Sequence, residues 1–324
     1  MFNPIEILSP SVSDIEDDAY SLDDFEGVDS RWCHRCGNNA ILTAVQKLCA
    51  EEQLAPEKTV FVSGIGCSSR LPHYMGTYGF HALHGRALPV AEGIKIKRPD
   101  LHVFVTTGDG DCCSIGAGHW LHAIRYNMNI TVLLHDNQIY GLTKKQASPT
   151  SPRGLISNTS PRGAYLEPLN PLAATLGMSN ISFVAHAVDW VPSVLFDIIK
   201  QAFHHRGLAF VCIMQRCPNY LPDHFEEYMK DPDKTVLLTH PQGLQVEEAV
   251  ASRFKHREEH DPRDVDRARE LANNRERVPL GILYRNPDVL CYEDVRAGAE
   301  HLTVADKIAA LEREFDNFTI KPAP

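Results

Sequence analysis

Between residue 31 and about residue 220, short β-rich runs alternate with helix-like stretches. No other feature limits the possible folds of this chain as tightly. The runs are TVFVSGIG (59–66), LHVFVTTG (101–108), ITVLLHDN (130–137) and LAFVCIMQ (208–215), each bounded by glycine or turn residues. Around them lie NNAILTAVQKLCAEE, HALHGRALPVAEGIKIK, GAGHWLHAIRYN and VPSVLFDIIKQAFHH. Apolar runs separated by helical segments predict βαβ units. The expected fold class is therefore α/β, a mostly parallel sheet with helices on both faces. Crossovers in such a sheet are right-handed, and ligands bind outside the carboxyl ends of the strands.

Three regions are expected. Residues 1–30 read as an acidic N-terminal arm, residues 31–225 as the α/β domain, and residues 226–324 as a charged C-terminal extension. That extension is expected to be exposed helix with a tail, packing on the domain or on a partner. The stretch TKKQASPTSPRGLISNTSPRG (143–163) is a Pro/Ser/Thr-rich loop without periodicity. A loop that long inside a compact domain is usually functional or mobile. The formal charge of −10 argues against nucleic acid as a partner. No run approaches the roughly 18–20 apolar residues of a membrane span. The N-terminus shows no secretory pattern, so a cytoplasmic location is expected. There the nine cysteines are poor disulfide candidates. Metal ligation and simple burial are the readings left open for them.

The stretch TTGDGDCCSIGAGHW (106–120) crowds Asp109 and Asp111 among glycines where a strand ends. The next strand ends at Asp136-Asn137. One crossover brings Asp109 and Asn137, 28 positions apart, to the same edge of the sheet. Two oxygen side chains can converge there on a hard cation, and Gly108 and Gly110 leave room for a ligand. Mg²⁺ takes oxygen ligands and is commonly shared with phosphates, so a Mg²⁺–diphosphate site is expected. Ser114 opens a helix whose amides favour anionic oxygens. An isolated GDG is more often a tight turn, with Asp111 as a helix N-cap. Here GDG is followed after 25 residues by an Asn-containing pair, which resembles the thiamine diphosphate signature. That resemblance makes Asp109, Asn137 and the Ile139 carbonyl the Mg²⁺ ligands. The family usually has Asn-Asn where this chain has Asp136-Asn137, a change at the position that is not a ligand.

WCHRCGNN supplies Cys33 and Cys36, GIGCSSR supplies Cys67, and QRCPNY supplies Cys217. All three segments open at the same expected edge. Four thiolates there suit either zinc or a 4Fe–4S cluster, and spacing alone leaves zinc somewhat ahead. The segments CHRCGN, SGIGCSSR, LHGRALPVAEGIK, GDGD, DNQIYGLTKKQASPTSP and RCPNY occur in a telling order. Over residues 28–225 they resemble the β subunit of the two-subunit 2-oxoacid:ferredoxin oxidoreductases. The usual CPGCG is CHRCG here, with both cysteines kept. The resemblance implies a 4Fe–4S cluster on Cys33, Cys36, Cys67 and Cys217, because oxidising a decarboxylated 2-oxoacid requires an electron acceptor nearby. It also sets Gly66, Cys67, His84, Gly108, Gly110 and Asp111 beside the thiamine cofactor.

Several roles follow from the same resemblance. His84 hydrogen-bonds substrate or is an ordinary core histidine; the two readings weigh equally. The loop after Asn137 lines the substrate pocket, with Lys144 pairing a carboxylate and Thr143 donating a hydrogen bond. Lys145 is the alternative cation. A carboxylic acid beside the cofactor's aminopyrimidine is missing, and Glu92 reads as a helix residue. The family draws that acid from a separate α subunit, so an αβ or (αβ)₂ assembly is expected, active only when complete. Coenzyme A and ferredoxin are the expected co-substrates. The expected reaction is oxidative decarboxylation of a 2-oxoacid, with 2-oxoglutarate favoured and pyruvate or broad specificity as alternatives. A non-oxidative thiamine enzyme with structural zinc is the rival reading.

Overall fold

The computed structural model describes residues 19–241, 243–244, 246–297 and 303–318. Most of the acidic arm lies outside them. Its last part turns at Asp23–Phe25 and drops Phe25 fully into the core against the first long helix.

Nine strands form one sheet: β1 (Thr59–Ser63), β2 (Tyr78–His81), β3 (His102–Gly108), β4 (Ile130–Asp136), β5 (Phe183–Val188), β6 (Leu208–Met214), β7 (Thr235–Thr239), β8 (His256–Glu259) and β9 (Val278–Arg285). Their order is β2-β1-β3-β4-β6-β5-β9-β7-β8. All neighbours are parallel except β5 and β9, which meet antiparallel. The first six strands therefore point their carboxyl ends to one rim and the last three to the opposite rim. Strands β4, β5 and β6 are buried along their whole length, which is why they read as continuous apolar runs.

The helices α1 (Asn38–Glu51), α2 (Ala87–Lys97), α3 (Ala117–Tyr126), α4 (Pro171–Leu176) and α5 (Pro192–Phe203) cover both faces. On one face α1 and α5 bury Ile41, Val45, Leu48, Leu195, Ile198 and Ile199. On the other, α2, α3 and α4 bury Leu88, Ala91, Trp120, Ile124, Leu172 and Leu176. The expected α/β class is what the chain adopts.

The region after residue 226 differs from the helix and tail expected of it. It contributes β7, β8 and β9 to the same sheet, along with the helices Glu248–Ala251, Val265–Ala272 and Val304–Phe318. TVLLT and VPLGILYR are apolar runs hidden in a stretch dominated by charge. HREE is a four-residue edge strand whose charges discourage further pairing. Among the described residues, no helix is long and apolar enough to cross a membrane.

Candidate functional site

From β1 the chain moves outward to β2 through the Ser68–Tyr74 turn, which packs Leu71 and Tyr74 on the α1 face. It returns to β3 through α2, on the other face. The winding reverses between β1 and β3, and a crevice opens at their carboxyl ends, as the topology requires. The loops after β1, β2, β3, β4 and β6 surround it.

Asp111 is the knot that ties three of these loops together. Its Oδ1 accepts from Ile65 N at 3.1 Å, Gly85 N at 2.6 Å and His84 Nδ1 at 2.6 Å. Its Oδ2 accepts from Thr107 Oγ1 at 2.7 Å. A Cβ at Gly64 would collide with this carboxylate, so the glycine is required by close approach. The N-cap reading does not hold. The chain enters α3 through a π-turn, Asp111–Ile115, and the carboxylate faces across the loops instead. With Nδ1 engaged by this carboxylate, Nε2 is the ring nitrogen left for other partners.

Asp109 is buried at the end of β3, and so is Asp136 at the end of β4. Thr150 Oγ1 lies 2.7 Å from Asp109 Oδ2 and 2.8 Å from Asp136 Oδ1. One hydroxyl proton cannot serve both carboxylates. Burial and the charge of Asp109 push Asp136 up to about 8. Burial raises Asp109 as well, so the two carboxyl groups share one negative charge around the Thr150 hydroxyl. A buried anion of this kind calls for a cation.

Asn137 is the second oxygen donor. Its Oδ1 accepts from Ile139 N at 3.1 Å, and its Nδ2 donates to Gln215 Oε1 at 3.0 Å. The Gln215 bond sets the orientation of the amide. Gln138 adopts φ 59°, which turns the chain sharply and buries Ile139. Gly110 is fixed by Tyr140, whose ring occupies the place of a Cβ and whose hydroxyl donates to Gly110 O at 3.1 Å. The donor set is hard oxygen beside an ionised carboxylate, which fits Mg²⁺.

The four cysteines lie near one another at the same rim, and all are free thiols. Cys33, Cys67 and Cys217 each electrostatically oppose ionisation of Cys36. Cys67 Sγ and Cys217 Sγ lie 3.5 and 3.6 Å from the point a Cβ would occupy on Gly141. The CxxC turn is pinned by Gly37 N donating to Arg216 O at 3.1 Å, and Trp32 Nε1 donates to Cys67 O at 2.7 Å. Burial, reinforced by the neighbouring cysteines, pushes Cys36 to about 12 and Cys67 to about 11. Burial also raises Cys217, whereas the backbone N–H groups of Tyr220, Asn219 and Leu221 favour its thiolate. Thiols in this setting ionise when a positive centre joins them. Among the described residues, no group of three or more His, Cys, Asp or Glu is arranged to hold a single metal ion.

Gln215 joins the two sites. It is 1% exposed, accepts from Asn137, and directs Nε2 to Cys36 Sγ at 3.6 Å and to Arg216 O. One carboxamide therefore separates the oxygen site from the sulfur site. Behind it, fully buried Asp189 accepts from Arg216 N at 2.8 Å and pairs with Arg216 Nε at 2.6 Å, holding the strand end that carries Cys217.

The remaining expected residues are less enclosed. Lys144 and Thr143 are exposed, and Thr143 Oγ1 bonds Gln146 within its own turn. Lys144 and Lys145 both hold positive φ, 69° and 72°. Gly66, also at positive φ, opens the loop to Cys67. Glu92 is buried on α2 beside His122 of α3, at 3.8 Å, so its carboxyl faces a helix contact. Sequence reasoning missed Thr150, Tyr140, Gln215 and the Asp189–Arg216 pair. The one available signal was the 143–163 loop, which proves firmly anchored at its centre. Ser148, Thr150 and Ser151 are buried, and Ser151 Oγ donates to Gln138 O at 2.5 Å.

Crevice, winding and oxygen donors together define a thiamine diphosphate-binding α/β domain. Residues 64–213 match the family model described as thiamine pyrophosphate enzyme, C-terminal TPP binding domain. Residues 252–301 match the family model for the C terminal of the pyruvate ferredoxin oxidoreductase beta subunit. The chain is 40% identical over 264 residues to the 2-oxoacid:ferredoxin oxidoreductase subunit beta of Saccharolobus solfataricus, covering 81% of this chain and 84% of that one. It is 46% identical over 201 residues to the 2-oxoglutarate oxidoreductase subunit KorB of Mycobacterium tuberculosis, covering 62% of this chain and 54% of that one. A solved 2-oxoglutarate:ferredoxin oxidoreductase from Magnetococcus marinus, with 2-oxoglutarate, coenzyme A and succinyl-CoA bound, superposes with a TM-score of 0.75 at 35% identity. That superposition covers 92% of this chain and 97% of the solved one. The chain belongs to the beta subunits of the 2-oxoacid:ferredoxin oxidoreductases.

Proposed function

We propose that this subunit holds thiamine diphosphate through Mg²⁺ on Asp109, Asn137 and the Ile139 carbonyl, and a 4Fe–4S cluster on Cys33, Cys36, Cys67 and Cys217. With its α subunit it oxidatively decarboxylates a 2-oxoacid to an acyl-CoA and passes the electrons to ferredoxin. The carrying observation is Gln215, which spans from Asn137 to Cys36 and so brings the oxygen and sulfur sites to one side chain's length of each other. Bound thiamine diphosphate supplies the carbon–carbon cleavage chemistry. The chain's own residues anchor, orient and shield. Asp109 provides negative charge for the cation, and Thr150 bridges it to Asp136, whose pKa burial and the Asp109 charge push up to about 8. Asp111 fixes His84 so that Nε2 is the group offered to a bound substrate. Gly108 and Gly110 keep the backbone close to the diphosphate, and Gly66 and Cys67 border the same crevice. Thr143 and Lys144 stand at the mouth, where a lysine can meet a substrate carboxylate.

The ferredoxin-linked relatives support a cluster over zinc. Electrons taken from a decarboxylated 2-oxoacid need an acceptor, and zinc has no redox chemistry to offer. The 2-oxoglutarate in the related solved structure, and the name of the mycobacterial relative, favour 2-oxoglutarate as substrate. The α subunit provides the carboxylic acid beside the aminopyrimidine, in an αβ or (αβ)₂ assembly.

The test is chemical analysis of the chain co-produced with its natural α subunit. The expected result is iron and acid-labile sulfide in equal amounts, bound thiamine diphosphate and Mg²⁺, and CoA-dependent ferredoxin reduction fastest with 2-oxoglutarate. A colourless complex containing zinc and no sulfide would refute the oxidative reading. Faster turnover of pyruvate would overturn the substrate assignment alone.

A further inference from the structure

At the far end of the sheet the order is β8-β7-β9. The chain passes from β7 to β8 over the face where Ala251 and Phe254 are buried, and returns to β9 through the helix Val265–Ala272 on the other face. This repeats the winding β2-β1-β3 that forms the thiamine crevice. A reversal of winding between two parallel strands opens a ligand crevice at their carboxyl ends. Because β9 is antiparallel to β5, this second crevice lies on the opposite rim.

The crevice holds a cavity of about 710 Å³, lined at the strand ends by His240 after β7, His260 after β8 and Arg285 at the end of β9. That volume suits a metabolite-sized ligand. Arg285 donates to Gln201 Oε1 at 3.2 Å and has no carboxylate partner among the described residues. His260 is 8% exposed, with Nε2 on Leu283 O at 3.2 Å and Nδ1 unpartnered. His240 Nε2 is also unpartnered, and the two rings meet edge to face at 6.1 Å. The carboxylates at the mouth are exposed: Asp261 is turned to Arg263 N, Arg263 pairs with Asp288, and Glu259 lies on the edge strand. A guanidinium flanked by two imidazole rings, set at a reversal of winding, forms an anion-recognition constellation.

We propose that this second crevice binds a small anionic metabolite through a phosphate or carboxylate group held by Arg285, with His240 and His260 beside it. The helix that follows cannot do this work, since Asp264 already occupies its first amides at 3.0 Å.

The test uses the αβ complex saturated with thiamine diphosphate and Mg²⁺, so that the first crevice is filled. Calorimetric titrations with AMP, inorganic phosphate and citrate are compared. The expected result is one site per chain of this subunit. AMP and phosphate binding without citrate assigns a phosphate ligand; citrate alone assigns a carboxylate. Arg285→Met should weaken binding at least about tenfold, and Arg285→Lys should retain most of it. If Arg285→Met lowers the melting temperature, His240→Leu serves in its place, since His240 Nε2 holds nothing in the fold. Binding weaker than about 10 mM for all three probes, or unchanged in these variants, overturns the proposal. Ferredoxin reduction remains the separate measure of the first rim, so the two readings fail independently.

Discussion

At one end of the sheet the strands run β2-β1-β3, and at the other β8-β7-β9, each triplet winding out over one face and back over the other. The loops at the first rim carry Asp109, Asp111 and Asp136; those at the second carry His240, His260 and Arg285. One crevice concentrates buried carboxyl groups and therefore calls for a cation. The other concentrates imidazoles and a guanidinium and therefore suits an anion. The backbone plan supplies the two crevices, and a few strand-end residues decide what enters each. Between them, β5 and β9 form the antiparallel seam on which both rims depend.

The largest expected effect lies at the first rim. Asp109→Ala removes the carboxylate that Thr150 bridges to Asp136, and should cost at least about a thousandfold in turnover. Thiamine content measured after gel filtration should fall to background while iron and sulfide stay. Retention of the cofactor would show that the carboxylate is not its anchor. Next is Cys217→Ser, which should remove iron and sulfide by direct assay and abolish ferredoxin reduction, with thiamine diphosphate still bound. The two substitutions thus separate the two halves of one rim.

Gln215→Leu should have an intermediate effect, because it breaks both contacts of the bridge. Mg²⁺ affinity should drop about tenfold, the loss expected for an outer hydrogen-bond partner. The cluster's reduction potential, followed by electron paramagnetic resonance, should become more negative as an N–H donor to sulfur is lost. A change in only one of the two would mean that the sites are adjacent but unlinked.

The seam is sensitive to acid. His186 donates Nδ1–H to Pro279 O at 2.9 Å, across the β5–β9 junction, and burial lowers its pKa to about 4. The unfolded chain takes up this proton first, near the ordinary histidine value, so stability should decline as pH falls from about 6.5 to about 4. The share of His186 is roughly 3 kcal/mol once both states are protonated. His186→Gln should flatten the melting temperature against pH over that window; an unchanged slope would place the acid sensitivity elsewhere. The smallest effect is expected at the second rim, where Arg285→Met should change ferredoxin reduction by less than about twofold. A large loss would mean that the two rims communicate.

The α/β class and the placement of residues 109 and 137 at the carboxyl ends of neighbouring strands were legible because they depend on local pattern. Apolar runs of strand length, glycines at their ends and one crossover bring those residues to the same rim. The cysteine segments were legible for the same reason, since each follows a strand or flanks a helix start. The strands after residue 226 were not, because charge on an edge strand imitates a solvated helix.

Which side chains face one another across the rim depends on loops from distant parts of the chain, and no local pattern records that. Thr150 stands between two aspartates only because the 143–163 loop folds back over β3 and β4. Gln215 spans two sites only because β6 lies beside β4 in the sheet. Asp136 is pushed up to about 8 and Asp109 is raised as well because both are buried within reach of one hydroxyl, although the sequence presents two ordinary acids. Periodicity and turn chemistry are local, so the chain's order was enough to determine the architecture of the first six strands. Burial and electrostatic coupling are properties of the packed whole, and only the tertiary structure could decide the state of each group.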